Sequence, residues 1–307
     1  MCYSAQIQAD FRKYVKTFGA HMSIREFARL YWERAEGHAV KIPKALDLAF
    51  QGPGEDDVRE IRDAIQRYTA QRSTELETDL FKQRTRQADA TRRLEVKQTK
   101  AAANDLRIST DKIAADLHAL EDLRRTEPKE RDARIFPGWY APVLIVREGR
   151  RVIVPMRYRC RLPGWTEEDE REKPGTYNAR RDKLTTAWRK LFGHQHGLMI
   201  VNAFFENVTG PDGQNRVLRF DPTPAQPMLV ACLWNESSTP AGPLLSFAAI
   251  TDEPPAEVAA AGHDRCIVPI REANLDAWLQ PDQLSRDALF AILDDRERPY
   301  YEHQLAA

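Results

Sequence analysis

Apolar and polar positions repeat with two different periods along this chain of 307 residues. From Ser23 to Arg134 the period is helical. In SIREFARLYWER, Ser23 and Glu26 have the spacing of a capping box, and Phe27, Leu30 and Tyr31 recur on one face. KIPKALDLAFQGPG, broken by Pro43 and Pro53, reads as a short linker. The stretch from Asp56 to Arg125 contains neither glycine nor proline. Within it Val58, Ile61, Ile65 and Tyr68 step by three and four, as do Ile113, Leu117 and Leu120. This pattern predicts a long helical hairpin or short antiparallel coiled coil, turning near AANDLRIST at 102–110. Its middle is poor in apolar residues, so a solvated insertion and a partner-binding arm both fit. After FPGWYAP the texture changes. VLIVREGRRVIVPMRYRCRL, GLMIVNAFFENV, PMLVACLWN, LLSFAAITD and RCIVPI read as strands, and TTAWRKLFGHQ, NLDAWL and RDALFAIL as short helices. The fold class is α+β.

Composition narrows the setting. Hydrophobic residues make up 42% and charged residues 30%, which allows a core and implies long solvated surfaces. The formal net charge is zero, so any affinity for a polyanion must come from local clustering. Arginine and lysine concentrate between Arg147 and Lys190. The four cysteines, at 2, 160, 232 and 266, form no CxxC or Cys/His cluster. That argues against a structural zinc site or a disulfide scaffold and for a reducing compartment. There is no signal-like leader, and no run approaches the roughly 20 apolar residues of a membrane span. The expected location is the cytoplasm, with no metal and no cofactor.

Four side chains carry candidate chemistry. Cys2 directly follows Met1. Removal of Met1 would leave an α-amine of pKa about 8 beside a thiol of pKa about 8.5. Amine and thiol on neighbouring carbons condense with one aldehyde, first as a Schiff base and then as a five-membered thiazolidine. In YNARRDKL, Asn178 has a carboxamide suited to an amine or sugar oxygen, and Arg180 and Arg181 are suited to phosphates. Glu206 ends an apolar, aromatic run, where desolvation would raise its pKa toward acid–base use. His263 precedes a strand, with Asp264 and Arg265 beside it.

In this order, MCYSAQ, the NAR of YNARRD, the run ending at the glutamate of NAFFEN and the HDR of GHDRCIVP make the chain resemble the SRAP family, named for SOS-response-associated peptidase. YAP near 140 and LLSFAAITDEP add to the likeness, which covers the first residues and roughly 135–280. It implies an α+β domain around a curved, barrel-like sheet, formed here by residues 1–20 and 135–300 with 21–134 as a helical insertion. It also implies binding to single-stranded DNA with abasic sites and a covalent crosslink through the N-terminal cysteine. On that resemblance Cys2 is the nucleophile, Asn178 positions the amine or the opened sugar, Glu206 handles protons, and His263 assists ring opening and crosslink reversal. Arg180 contacts the DNA backbone, with Arg181, Trp165 and Arg265 as further DNA-binding candidates. The chain departs from the family pattern in several places. Tyr3, Ser4 and Ala5 stand where Gly-Arg-Phe is common, so the arginine that the resemblance implies for one phosphate contact is absent. Ala203 and Asn207 replace a glycine and a tryptophan around the glutamate, and the aromatic pair before NAR is reduced to Trp165. A cysteine peptidase with an N-terminal nucleophile, and a scaffold recruiting repair partners through the helical arm, are the other function classes left open.

Overall fold

A computed structural model describes residues 4–51, 58–210 and 212–306, so Cys2 lies outside the described residues. In chain order the elements are β1 (Ser4–Ile7), α1 (Phe11–Phe18), β2 (His21–Met22), α2 (Ile24–Ala35), α3 (Lys44–Gln51), α4 (Arg59–Val96) and α5 (Lys100–Arg124). There follow β3 (Arg134–Ile135), β4 (Tyr140–Arg147), β5 (Arg150–Tyr158), α6 (Glu167–Glu172), β6 (Asn178–Arg180), β7 (His196–Thr209), β8 (Asn215–Thr223), β9 (Met228–Thr239) and β10 (Gly242–Asp252). The chain ends with α7 (Ala256–Ala260), β11 (Cys266–Ile267), α8 (Leu275–Leu279), α9 (Arg286–Asp294) and β12 (Tyr300–Leu305). Two compact units result. One comprises Met1–Leu30, Ala39–Gly52 and Lys129–Ala307; the other comprises Tyr31–His38 and Pro53–Pro128.

The first unit is built on a closed barrel. β5 pairs with β4, β4 with β7, β7 with β9 and β9 with β10, all antiparallel. The ring closes where β10 runs parallel to β5, with Ser246 beside Arg157 and Phe247 beside Tyr158. Every second residue along these strands is apolar and joins one buried cluster: Val143 and Ile145, Val154 and Met156, Met199 and Val201, Val230 and Cys232, Phe247 and Ala249. This period-two pattern is what lets five strands fill their own interior with side chains. β1, β2, β3, β6, β8, β11 and β12 extend the sheet outside the ring.

One irregularity sets which way the later side chains of β7 face. β1 pairs with β7 through Gln6↔Ala203 and Ile7↔Val201, so Asn202 is an extra residue. A bulge of this kind changes which face the following side chains occupy. Before it the odd-numbered Met199 and Val201 point into the barrel cluster; after it the even-numbered Phe204 and Val208 do. Phe204 stacks on Phe220, with ring centroids 4.9 Å apart, and meets Tyr301 edge-on at 5.1 Å.

In the second unit α4 and α5 form an antiparallel hairpin. Leu76, Gln83 and Ala90 are buried at seven-residue spacing, facing Ala102, Ser109 and Leu120. Small and polar seam residues explain why the segment looks poor in apolar positions. The hairpin turns at Lys97–Thr99, not at 102–110. Thr99 caps α5 by accepting from the Ala102 N–H, a single hydroxyl signal that the helical periodicity on both sides obscures. Two other expectations are corrected. The linker-like KIPKALDLAFQGPG contains α3, whose Leu46 and Phe50 are buried, with Phe50 5.4 Å from Phe27. TTAWRKLFGHQ is a succession of turns and not a helix, since its backbone bonds mix three-, four- and five-residue spacings around the buried Trp188 and Phe192. No described helix is long and apolar enough to cross a membrane.

His196, at the start of β7, is a structural histidine. Its Nδ1 lies 3.1 Å from the Trp278 carbonyl, its Nε2 accepts from the Gly193 N–H at 2.9 Å, and burial pushes its pKa down to about 3. The unfolded chain therefore binds a proton that the folded chain refuses between about pH 6.5 and 3. The neutral ring's contribution is complete above that window and is lost as pH falls through it. Urea unfolding of wild type and His196→Gln should show a stability difference that shrinks by about 1.4 kcal/mol per pH unit between about pH 6 and 4. A pH-independent difference would contradict this assignment.

Candidate functional site

The bulge at Asn202 puts Glu206 on the same face of β7 as Phe204 and Val208, and its side chain is 0% exposed. The residue it meets comes from the turn after α7. Gly262 takes a positive φ of 97°, and the His263 N–H donates to the Val258 carbonyl at 3.2 Å. His263, 7% exposed, then presents Nδ1 to the Arg265 carbonyl at 2.8 Å and Nε2 to Glu206 Oε2 at 3.1 Å. A carbonyl oxygen only accepts, so Nδ1 carries a hydrogen. Nε2 and a carboxyl oxygen both bear lone pairs, so their close contact requires one further proton between them. Burial lowers the His263 pKa below the ordinary imidazole value, against the opposing effect of the Arg265 carbonyl. The neutral imidazole is thus favoured.

Asn178 lies on β6, paired in parallel with Ala249 of β10, a residue of the barrel cluster. It is 6% exposed, and neither Oδ1 nor Nδ2 has a hydrogen-bond partner among the described residues. No hydrogen bond joins it to Glu206 or His263. An unsatisfied buried amide costs about 1–3 kcal/mol per group, so the barrel holds it there against a penalty. Ser4 of β1 sits opposite Phe205 of β7, next to Glu206. Arg134 fastens that start of β1: its Nε donates to Ser4 Oγ at 3.0 Å, and its guanidinium lies 3.8 Å from the Phe205 ring centroid.

The other sequence candidates are dispersed. Arg180 is half-exposed and pairs with Asp182 at 2.8 Å. Arg181 bridges Asp252 at 3.2 Å and Asp294 at 2.6 Å. Arg265 pairs with Asp264 at 3.2 Å. Trp165 has the Lys173 ammonium 5.0 Å from its ring centroid and lines a cavity of about 200 Å³ with Trp188, Arg189 and Lys190. Much of the basic surplus between Arg147 and Lys190 is internally matched. Arg147 pairs with Glu26, Arg151 with Asp276, and the buried Glu170 takes Arg157, Arg159 and Arg161 together. The three described cysteines are buried and their thiols pushed up, Cys160 to about 12, which makes them poor nucleophiles.

The family model described as SOS response associated peptidase (SRAP) matches residues 98–305. The chain belongs to the SRAP family. The match contains Asn178, Glu206 and His263 and begins after Cys2 and β1. SRAP membership supports a role associated with DNA damage and an interaction with DNA. Among solved structures, a protein from Bordetella bronchiseptica is 18% identical, with a TM-score of 0.47, covering 57% of this chain and 87% of its own. One from Bacteroides thetaiotaomicron is 13% identical, with a TM-score of 0.48, covering 57% and 78%. A phage-related protein from Bordetella bronchiseptica is 14% identical, with a TM-score of 0.45, covering 57% and 81%. Comparison with curated proteins gives no match.

Sequence reasoning misses two residues of this SRAP chain. Arg134 falls at the end of the helical texture and offers no local signal. Thr251, in β10, is 0% exposed and its Oγ1 has no partner among the described residues; a hydroxyl inside the apolar run LLSFAAITD is the clue. The proton-sharing geometry makes a direct stability prediction. Glu206→Gln, whose amide can donate to Nε2, should stay within about 1 kcal/mol of wild type, whereas His263→Leu, which removes the imidazole from a buried carboxyl, should cost about 1–3 kcal/mol. Urea unfolding at neutral pH measures both; the reverse order would contradict the shared proton.

Proposed function

We propose that this protein recognises abasic sites in single-stranded DNA and crosslinks to them through Cys2 after Met1 is removed. The observation that carries the proposal is the buried Glu206–His263 pair, 3.1 Å apart, on the strand beside which β1 begins. Cys2 is two residues from Ser4, a reach of at most about 7 Å of chain. The other three cysteines are chemically quiet, which leaves Cys2 as the thiol to react.

The chemistry balances with one water lost. The ring-opened abasic sugar presents an aldehyde. The Cys2 α-amine adds to its carbon, and the carbinolamine expels its hydroxyl as water, taking a proton from the Glu206 carboxyl. The resulting iminium is attacked by the Cys2 sulfur, whose proton returns to the Glu206 carboxylate, closing the thiazolidine. Glu206 alternates between acid and base, and His263 holds or returns its proton, including during ring opening and reversal. Asn178 supplies an amide with both ends available for the amine or a sugar hydroxyl. Arg180, Arg181, Arg265 and Trp165 contact the DNA backbone or flanking bases. The protein works in the cytoplasm, on the nucleoid where the cell is bacterial. The helical segment is an insertion dispensable for the chemistry, provided Arg134 is retained: replacing residues 59–125 by a flexible linker should leave adduct formation intact, and its loss from a folded deletion would overturn this point.

The alternative is a peptidase using the same thiol, and the two readings differ in their need for a free amine. On denaturing electrophoresis with abasic single-stranded DNA, wild type should give a heat-stable adduct. Cys2→Ser and a chain retaining Met1 should bind without giving it, and Glu206→Gln should slow its formation about 10²–10⁴-fold. A stable adduct from a Met1-retaining chain would refute the thiazolidine. Peptide hydrolysis by that same chain would favour the peptidase.

A further inference from the structure

The helical unit offers a surface that this chemistry leaves unused. Because α4 and α5 are antiparallel, charges far apart in sequence meet at the same end. The half near the turn, residues 81–112, contains nine lysines and arginines against four aspartates and glutamates; residues 58–80 and 113–128 together contain six against nine. The hairpin is therefore basic toward its tip and acidic toward its base.

Part of the basic half serves the fold. Asp105 of α5 takes Arg86 at 2.6 Å and Arg93 at 2.7 Å from α4, and Arg92 pairs with Asp89. Lys82, Arg84, Lys97, Lys100 and Lys112 are exposed and make no ion pair among the described residues. A groove of about 640 Å³ runs along one flank, lined by Lys82, Thr85, Arg86, Asp89, Arg92 and Arg93. Its positions from 82 to 93 rise by about 16 Å along the helix. One residue before Lys82, Phe81 is 75% exposed, far from what burial would ask of a phenyl ring.

We infer that the tip half of the hairpin is a second, sequence-independent nucleic-acid grip, in which the unpaired lysines and Arg84 hold phosphodiester groups and Phe81 stacks on a base. Unmatched cations gain most from a partner that releases condensed counterions, and an exposed aromatic ring beside them suits unpaired bases. The choice of nucleic acid over an acidic protein rests on the DNA-linked reading above.

The test uses the full chain carrying Lys82→Gln, Arg84→Gln, Lys97→Gln and Lys100→Gln together. None of these four lies in the buried seam, and circular dichroism checks that helicity is unchanged. Anisotropy of a labelled, undamaged single strand of about 30 nucleotides is followed between about 50 and 200 mM salt. The salt slope should fall by about 0.7 for each phosphate that is no longer neutralised, toward about 3 for all four, with affinity down at least about tenfold. Phe81→Ala should weaken binding with the slope retained, and Arg72→Gln, near the base, should change neither. An unchanged slope in the fourfold variant would overturn the inference, as would polyglutamate of equal charge displacing the strand as effectively as DNA does, which would assign the surface to an acidic protein. Adduct formation at saturating abasic DNA is read in parallel. A slope that depends on these residues in a chain that forms no adduct keeps the grip and rejects the crosslink; an adduct with an unaffected slope does the opposite.

Discussion

A carboxyl group with no exposure to solvent must be answered by a proton, an opposite charge or both, because an isolated buried charge is far too costly to keep. Glu206 sets that condition on the part of β7 beyond the bulge, and the surrounding structure is arranged to meet it. The Asn202 bulge turns the side chain inward. The turn at Gly262 brings His263 within 3.1 Å, and the Arg265 carbonyl fixes the tautomer so that Nε2 faces the carboxyl. Cys266, buried beside it, is held as a protonated thiol by that burial. The outcome is a carboxyl–imidazole pair shielded from bulk water, with its carboxyl on the strand that pairs with β1.

Electrostatics are handled differently in the two units. In the barrel unit most guanidinium groups of the basic segment are consumed by nearby carboxylates; Glu170 alone gathers three. Such pairs fix loops more than they advertise charge. In the helical unit small seam residues let two long helices meet with few apolar side chains, and the surplus of positive charge stays exposed toward the turn. Composition averaged over the chain hides both facts, because a net charge of zero is the sum of unlike regions.

The parts of the fold legible from sequence are those with a strong local period. The β4–β5 hairpin, β7, β9, β10 and the long helices each follow a repeat of two or of three and four. β8 and β12 escape such a reading because NRVLRFDPT and YYEHQL interleave charges with few apolar residues; they are strands because each has a partner to complete. α3 is hidden by its flanking prolines. At the site, Glu206 and His263 are nameable from motif order, but their meeting depends on a one-residue bulge and a glycine turn that no periodicity reveals. Arg134, the residue that ties β1 to β7, is 130 positions from Ser4 and has no local signature.

At the heart of this arrangement the imidazole of His263 is neutral, protonated on Nδ1, and turns Nε2 to the Glu206 carboxyl. Nitrogen-15 NMR of the imidazole, titrated with pH and assigned by comparison with His263→Gln, tests it most directly. The expected result is a Nδ1–H tautomer at neutral pH whose protonation occurs below the ordinary imidazole value near 6.5. A Nε2–H tautomer, or an imidazolium that persists above pH 7, would contradict it.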